Sequence, residues 1–369
     1  MKNKIYWLWL TLKSEIKPKE LSALVKKNIS AKAIYDIEDK EELYGLSETT
    51  VNAILDKSLE KANEVAAKIE KMGWYILTFE DDEYPTMLKK IYFPPYVLYL
   101  TGEKLDWDRL LTITVVGTRS FDNYGREATE YIAKDLALEG VTIVSGMARG
   151  IDSIAGITAI KNGGKTIAVL GSGLDVVYPP EHGELYDMIR KNGVVMTEYP
   201  PGTPPAKENF PRRNRIMAGL SYGVLVTQAP KKSGALITAG FAVESGRDVY
   251  AVPASIFLKA SEGSNSLITQ GAKAVTSAGD IICEYPYFDL NKIQEKNISK
   301  DDKLCNINFN ELTERQVQIV KRIGNGTVHI DELSRDLKLA SYELNSEMIM
   351  LEINGIVKKL NGNIYELSY

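Results

Sequence analysis

The sequence predicts an α/β protein centred on a doubly wound parallel sheet. Six short runs carry that prediction: Ile113-Thr-Val-Val116, Val141-Thr-Ile-Val144, Thr166-Ile-Ala-Val-Leu170, Val194-Val-Met-Thr197, Val224-Leu-Val-Thr227 and Val249-Tyr-Ala-Val252. They are rich in β-branched residues, and each ends in a glycine-rich turn followed by a segment of helical period. Continuously apolar strands alternating with helices form a parallel sheet covered on both faces. The result is a Rossmann-like domain, in which ligands bind beyond the carboxyl ends of the strands.

The flanking segments have different patterns. From Leu21 to Met72 small apolar residues such as Ala53, Ile54, Ala62, Val65, Ala66 and Ile69 recur three and four apart. This predicts a small helical domain of the SAM or helix-hairpin-helix kind. Its Leu43-Tyr-Gly-Leu-Ser-Glu48 segment reads either as a hairpin turn that touches DNA backbone or as a helix-packing corner. Residues from Glu284 to Asn310 lack periodicity and read as a linker. Beyond it, Thr313 to Ile323, Ile330 to Leu337 and Ser341 to Ile353 read as helices, and a hairpin turning at Asn361-Gly362 follows, which together make a winged helix. The expected domains are residues 1–72, 73–284 and 311–369, with 285–310 as linker.

Composition narrows the function classes. The 369 residues carry 45 basic and 49 acidic side chains, a formal net charge of −4, so any nucleic-acid contact must come from a local patch. No apolar run approaches a membrane span, and the opening segment lacks the features of a signal peptide, so a cytoplasmic protein without membrane contact is expected. Cys283 and Cys305 lie far apart without metal-ligand spacing, and His182 and His329 are the only histidines. Structural zinc, histidine-based triads and bound cofactors are not expected.

The loops after the strands hold the candidate site. The first strand ends in Gly117-Thr118-Arg119, the second in Ser145-Gly146-Met-Ala-Arg149-Gly150 and the third in Gly171-Ser-Gly173. Glycine lets backbone approach a phosphate, helix-start amides favour an anion, and arginine adds a fork of donors. Glycines after strands also serve tight turns alone; three successive strands with the same ending favour a shared anion site. The fourth loop contains Lys207, Phe210, Arg212, Arg213, Asn214 and Arg215. Cations at a helix start oppose the macrodipole, so these arginines need another partner, either a bound anion or an internal carboxylate. For Phe210 two readings stand, stacking on a nucleic-acid base or packing under the proline-rich loop. Lys231-Lys232-Ser233-Gly234, after the fifth strand, presents basic groups to the same face.

Other chemistries fit poorly. Gly164-Lys165-Thr166 enters a strand where a phosphate-binding P-loop would leave one, and Val176 stands at the third glycine position of a dinucleotide fingerprint. Asp152 and Asp175 lie at helix starts, where capping is the common role. Glu198 is the best remaining acid for a hydrolase alternative.

These motifs together resemble the DNA-processing protein A (DprA/Smf) family over roughly Tyr84 to Ala274. The resemblance rests on VGTR from Val116, SGMARGID from Ser145, TIAVLGSGLD from Thr166, EYPPGTPP from Glu198, FPRRNRIMAGLS from Phe210 and SGALITA from Ser233. It implies a non-catalytic protein that binds single-stranded DNA without reading sequence, protects incoming strands in natural transformation and assists loading of the RecA recombinase. It also implies a homodimer formed through the Rossmann-like domain. Carried over by motif, Gly117, Arg119, the Ser145 to Gly150 turn, Lys207, Phe210, Arg213, Arg215 and Lys231 or Lys232 would line the DNA groove.

The chain departs from the family pattern at Gly156, where a histidine is common, at Gln228, usually acidic, and at Pro253-Ala254 in place of proline-glycine. The winged helix also departs from a DNA-reading design. Its third helix carries Glu343, Glu347 and Glu352 and no Lys or Arg, which opposes duplex binding and predicts a protein contact. Two rival functions share the fold: a nucleotide-processing phosphoribohydrolase using Glu198, and a sensor of a small nucleotide.

Overall fold

The computed structural model describes residues 3–28, 30–288, 290, 312–324, 326–337, 339–354, 356–360 and 362–367. The chain divides into two compact units, Met1–Leu290 and Asn291–Tyr369.

All six sequence-predicted strands are present in the first unit, as β3 (Thr112–Val116), β4 (Thr142–Ser145), β5 (Thr166–Val169), β6 (Gly193–Thr197), β7 (Gly223–Val226) and β8 (Asp248–Ala251). They pair in parallel in the order β6-β5-β4-β3-β7-β8. From β3 the chain steps outward through β4 and β5 to β6, then returns to the other side of β3 with β7. The strand order therefore reverses between β3 and β7.

Three further strands extend the sheet to nine. β1 (Tyr75–Thr78) and β2 (Val97–Gly102) add an antiparallel edge beside β6, and the two-residue β9 (Lys273–Ala274) pairs with β8. Sequence periodicity missed them because β9 is very short and the Tyr-Val-Leu-Tyr run of β2 reads as a motif on its own.

The central strands are buried on both faces, and successive side chains alternate between them as the pleat requires. Ile167, Val169, Val194 and Met196 join one apolar cluster, whereas Ala168, Leu170 and Val195 join another on the opposite face. The first cluster is roofed by helices Asn209–Leu220 and Gly234–Glu244 through Ile216, Met217, Ala235 and Ala239. The second is continuous with the N-terminal helices: Trp7, Leu8, Trp9, Leu10, Ile34 and Ile54 pack with Tyr96, Val97 and Tyr99. Trp7 stacks on Tyr96 with ring centroids 5.6 Å apart. Residues 3–71 thus share a core with the sheet.

The same unit runs past the expected boundary at residue 284. Tyr285 is buried, donates its hydroxyl to the Asp248 carboxylate at 2.8 Å and accepts from the Tyr250 hydroxyl at 2.9 Å. Residues 291–310 of the expected linker, with Cys305, lie outside the described residues.

The second unit has the expected three helices, Glu314–Ile323, Ile330–Leu337 and Ser341–Ile353, and a three-stranded sheet of β10 (Val328–His329), β11 (Val357–Leu360) and β12 (Ile364–Leu367) in the order β10-β12-β11. Ile319, Val320, Leu333, Leu344, Met348, Leu351, Val357 and Leu367 form its core. Strand β10 was not evident in the sequence. Asn361 of the expected turn lies outside the described residues, and Gly362 has φ +82°.

Candidate functional site

The crevice between the carboxyl ends of β3 and β7 is where ligands bind in doubly wound sheets. A cleft of about 300 Å³ opens there, lined by Gly117, Thr118 and Arg119 after β3, Pro230, Lys232, Ser233 and Gly234 after β7, and Phe210, Pro211, Arg213 and Asn214 from the loop and helix after β6. With Ala148 and Asp152 from the loop and helix start after β4, the structure gathers four of the sequence-predicted loops around one opening.

At its mouth the exposed Arg119 guanidinium lies 5.7 Å from the centroid of the half-buried Phe210 ring. Tyr178, from the loop after β5, contacts the same ring with centroids 5.4 Å apart, a partner the sequence had not suggested. Beneath Phe210, Gly171 has so little room that an added Cβ would press on the ring. Both readings of Phe210 thus have a basis: it packs on the β5 loop and presents an arginine-capped aromatic surface to the cleft.

Opposite, Ser233 caps helix Gly234–Glu244 by accepting from the Ala235 amide, and nothing lies within 4 Å of the position a Cβ would take on Gly234. This helix start is open to solvent and carries the positive end of the dipole. Two neighbouring helix starts are occupied internally. The Asp122 carboxylate accepts from the Gly125 amide at 2.9 Å at the start of helix Asn123–Leu138, and the Ile151 amide donates to the Thr118 carbonyl at 3.2 Å. Asp152 accepts from the Gly146 amide at 3.0 Å.

Of the arginines expected on the DNA face, Arg213 is buried, Arg215 is partly buried in an ion pair, and Arg149 stays exposed in a surface ion pair. Arg213, only 4 % exposed, donates to the Gly146 carbonyl at 2.8 Å, to the Val169 carbonyl and to the Asn214 side chain at 3.1 Å. Burial pulls its guanidinium down to about 10 and pushes the neighbouring Asp152 carboxyl up, and each charge opposes the other's shift. Arg213 remains charged at neutral pH, pinning the loops after β4 and β5 together. Arg215 pairs with Glu198 at 2.5 Å, and Arg149 with Glu181 at 2.5 Å. The partners of Arg213 and Arg215 answer why these arginines stand where the helix dipole disfavours them.

The glycines likewise act mainly in packing. A side chain on Gly146 would strike the Arg213 guanidinium, one on Gly117 would strike Ile151, and Gly150, at φ +83°, lies against the Thr118 carbonyl. Ser145 is buried, with its hydroxyl near the Met147 amide at 3.4 Å. Asn214 donates to the Gly234 carbonyl at 3.3 Å, tying two walls of the cleft. Gln228, neutral where the family is usually acidic, is fully buried, donates to Asp122 at 2.8 Å and accepts from its amide at 3.2 Å. Its role is to position the β3 loop.

Exposed cations with no ion-pair partner among the described residues remain at Arg119, Lys207, Arg212, Lys231 and Lys232. The candidate acids are all engaged. Glu198 faces Arg215. Burial works against ionisation of Asp175, yet the Lys68 ammonium at 2.7 Å and the Gly202 amide at 2.7 Å hold its carboxyl below the usual range. No helix among the described residues is long and apolar enough to cross a membrane.

This geometry has close relatives. A family model for DNA recombination-mediator protein A matches residues 75–286, and one for the DprA winged helix domain matches residues 310–363. The DNA processing protein DprA of Bacillus subtilis is 41% identical over 232 residues, covering 63% of this chain and 78% of the relative. That of Streptococcus pneumoniae is 46% identical over 207 residues, covering 56% and 73%. A solved structure of DprA from Streptococcus pneumoniae superposes with a TM-score of 0.65 at 36% identity, covering 76% of this chain and 97% of the other. DNA processing protein A from Helicobacter pylori, described for its single-stranded DNA binding mode, gives 0.51 at 28% identity, covering 61% and 97%. The first of these family models spans more than half of the chain, and the chain belongs to the DNA-processing protein A (DprA/Smf) family.

Proposed function

We propose that this protein binds single-stranded DNA without reading its sequence, laying the strand across the cleft between β3 and β7. The observation that carries the reading is the Arg119–Phe210 pair at the cleft mouth, facing Lys232 and the open helix start at Ser233 and Gly234. Stacking surfaces and unpaired cations are what sequence-tolerant single-strand binders use. A cleft of about 300 Å³ is at the small end of ligand sites. It suits one base or phosphate, while the rest of the strand passes over Lys207, Arg212 and Lys231. In this reading Thr118, Ser145, Gly146, Gly150, Gly171, Arg213, Asn214 and Arg215 build the frame, and Gly117 and Arg149 set the position of the β3 and β4 loops.

The same reading assigns no covalent chemistry to the site, since Glu198 is neutralised by Arg215 and Asp152 is buried against the Gly146 amide. Kinship with DprA supports a homodimer through the sheet domain and delivery of bound strands to the RecA recombinase during transformation and recombination. A gel-shift titration with matched single- and double-stranded oligonucleotides at two salt concentrations tests the proposal. Tight, salt-sensitive and sequence-tolerant binding of the single strand is expected; preference for the duplex would contradict it. The cleft volume also suits a lone nucleotide, and displacement of oligonucleotide by low concentrations of mononucleotide would favour that sensor reading.

A further inference from the structure

The third helix of the winged-helix unit, Ser341–Ile353, has two apolar faces. Leu344, Met348 and Leu351 are buried in the unit's core. On the opposite side, Tyr342, Ile349 and Met350 are 76%, 56% and 48% exposed. At 100° per residue they form one stripe with the exposed Asn345 and Ser346, about 12 Å long at 1.5 Å rise per residue. A winged helix that reads DNA presents this face to the major groove and fills it with cations and hydrogen-bonding groups. Here the stripe carries three large apolar side chains, two neutral polar ones and no cation, and the same helical geometry places Glu343 and Glu347 along one border and Glu352 along the other.

The nearby cations do not reverse that sign. Arg315, 3.3 Å from Glu343, compensates that carboxylate and leaves Glu347 to carry the charge of its border; Lys358 of the hairpin is 2.8 Å from Glu366, and Lys359 lies 5.8 Å from the Tyr365 ring.

We propose that this stripe is a docking surface for an amphipathic helix of a partner protein, one whose apolar ridge is bordered by Lys or Arg. The spacing of Tyr342, Ile349 and Met350 matches the i, i+7, i+8 ridge of helix-on-helix contact. The acidic borders choose between occupants. A second copy of the same helix would set acid against acid in either direction, because both borders carry glutamate, and like charges across an interface disfavour the wrong partner. A basic border meets opposite charge on both sides. Duplex DNA is repelled by the same glutamates.

The test uses the full chain with a photo-crosslinking side chain in place of Ser346. The probes are a synthetic helical peptide with a leucine ridge bordered by lysines, its isomer bordered by glutamates, and duplex DNA. Crosslinking to the lysine-bordered peptide, at least about tenfold more than to the glutamate-bordered one, is expected. The double variant Glu347→Lys/Glu352→Lys should reverse the preference, and Ile349→Asp, on the exposed face, should abolish capture while the protein stays folded by circular dichroism. Equal capture of both peptides, crosslinking to duplex DNA, or a dimer crosslinked through residue 346 would overturn the proposal.

Discussion

Replacing Phe210 by Ala separates its two roles. The ring lies between the backbone of Gly171 and the Arg119 guanidinium, with Tyr178 at its edge. If a base stacks there, its loss costs about 1–3 kcal/mol of binding, or about 5-fold to about 150-fold in dissociation constant at 1.4 kcal/mol per tenfold. Arg119 loses its platform as well, which adds on the order of 0.5–1 kcal/mol. The two residues act on one nucleotide, so the losses for Phe210→Ala and Arg119→Ala should not add in the double variant. Fluorescence anisotropy with a labelled oligothymidylate measures all four proteins, and Phe210→Tyr, which keeps the aromatic face, should bind like the parent. Because the ring is half-buried, thermal unfolding of each variant is recorded first, and titrations are run well below the transition. Unchanged affinity in folded Phe210→Ala, or strictly additive losses, would refute the stacking role and leave Phe210 as a packing residue.

Other expectations concern the frame and the second unit. Arg213→Ala removes the cation from three buried acceptors and leaves Asp152 uncompensated, so urea unfolding should show a loss of roughly 3–5 kcal/mol, with Arg213→Lys failing to restore it. Asp122 is held below the usual carboxylate range by the Gly125 amide and then by Gln228; its contribution is present above the unfolded-state value and is lost as pH falls through the lower folded value. Asp122→Ala should therefore cost about 1 kcal/mol at neutral pH, as for a lost helix cap, and progressively less in acid denaturation series below pH 4. Gly146→Ala, which drives a methyl into the Arg213 guanidinium, should lower the melting temperature while leaving the exposed cations in place. Truncation after residue 310 should leave single-strand affinity intact, measured by the same anisotropy assay.

The sheet was legible because six buried β-branched runs leave little alternative to a parallel, doubly covered arrangement. The edge was not, because β1 and β2 join antiparallel and the pairing of β2 with β6 brings together residues nearly a hundred positions apart. The anion face was legible in part. Glycine and arginine at strand ends signal close approach and positive charge without saying what approaches: for Gly146 it is Arg213, and for Gly171 it is Phe210. The neighbours of Arg213 and Arg215 are Val169 and Glu198, set by the parallel pairing of β5 and β6, and no local pattern reveals such partners. What remained exposed and unpaired after these contacts, Arg119, Lys207, Arg212, Lys231 and Lys232, and the half-buried Phe210 beside them, had all been marked by residue type and position.

The central claim is that unpaired cations around the β3–β7 crevice neutralise phosphates of a single strand. Its most direct measurement is the dependence of oligothymidylate affinity on salt for the parent, Arg119→Ala and Lys232→Ala. Each phosphate contact contributes a slope of about −0.7 on single strands, so each variant should bind more weakly and show a slope shallower by about that amount. Variants that keep the parent's slope, or a parent whose affinity ignores salt, would contradict the claim.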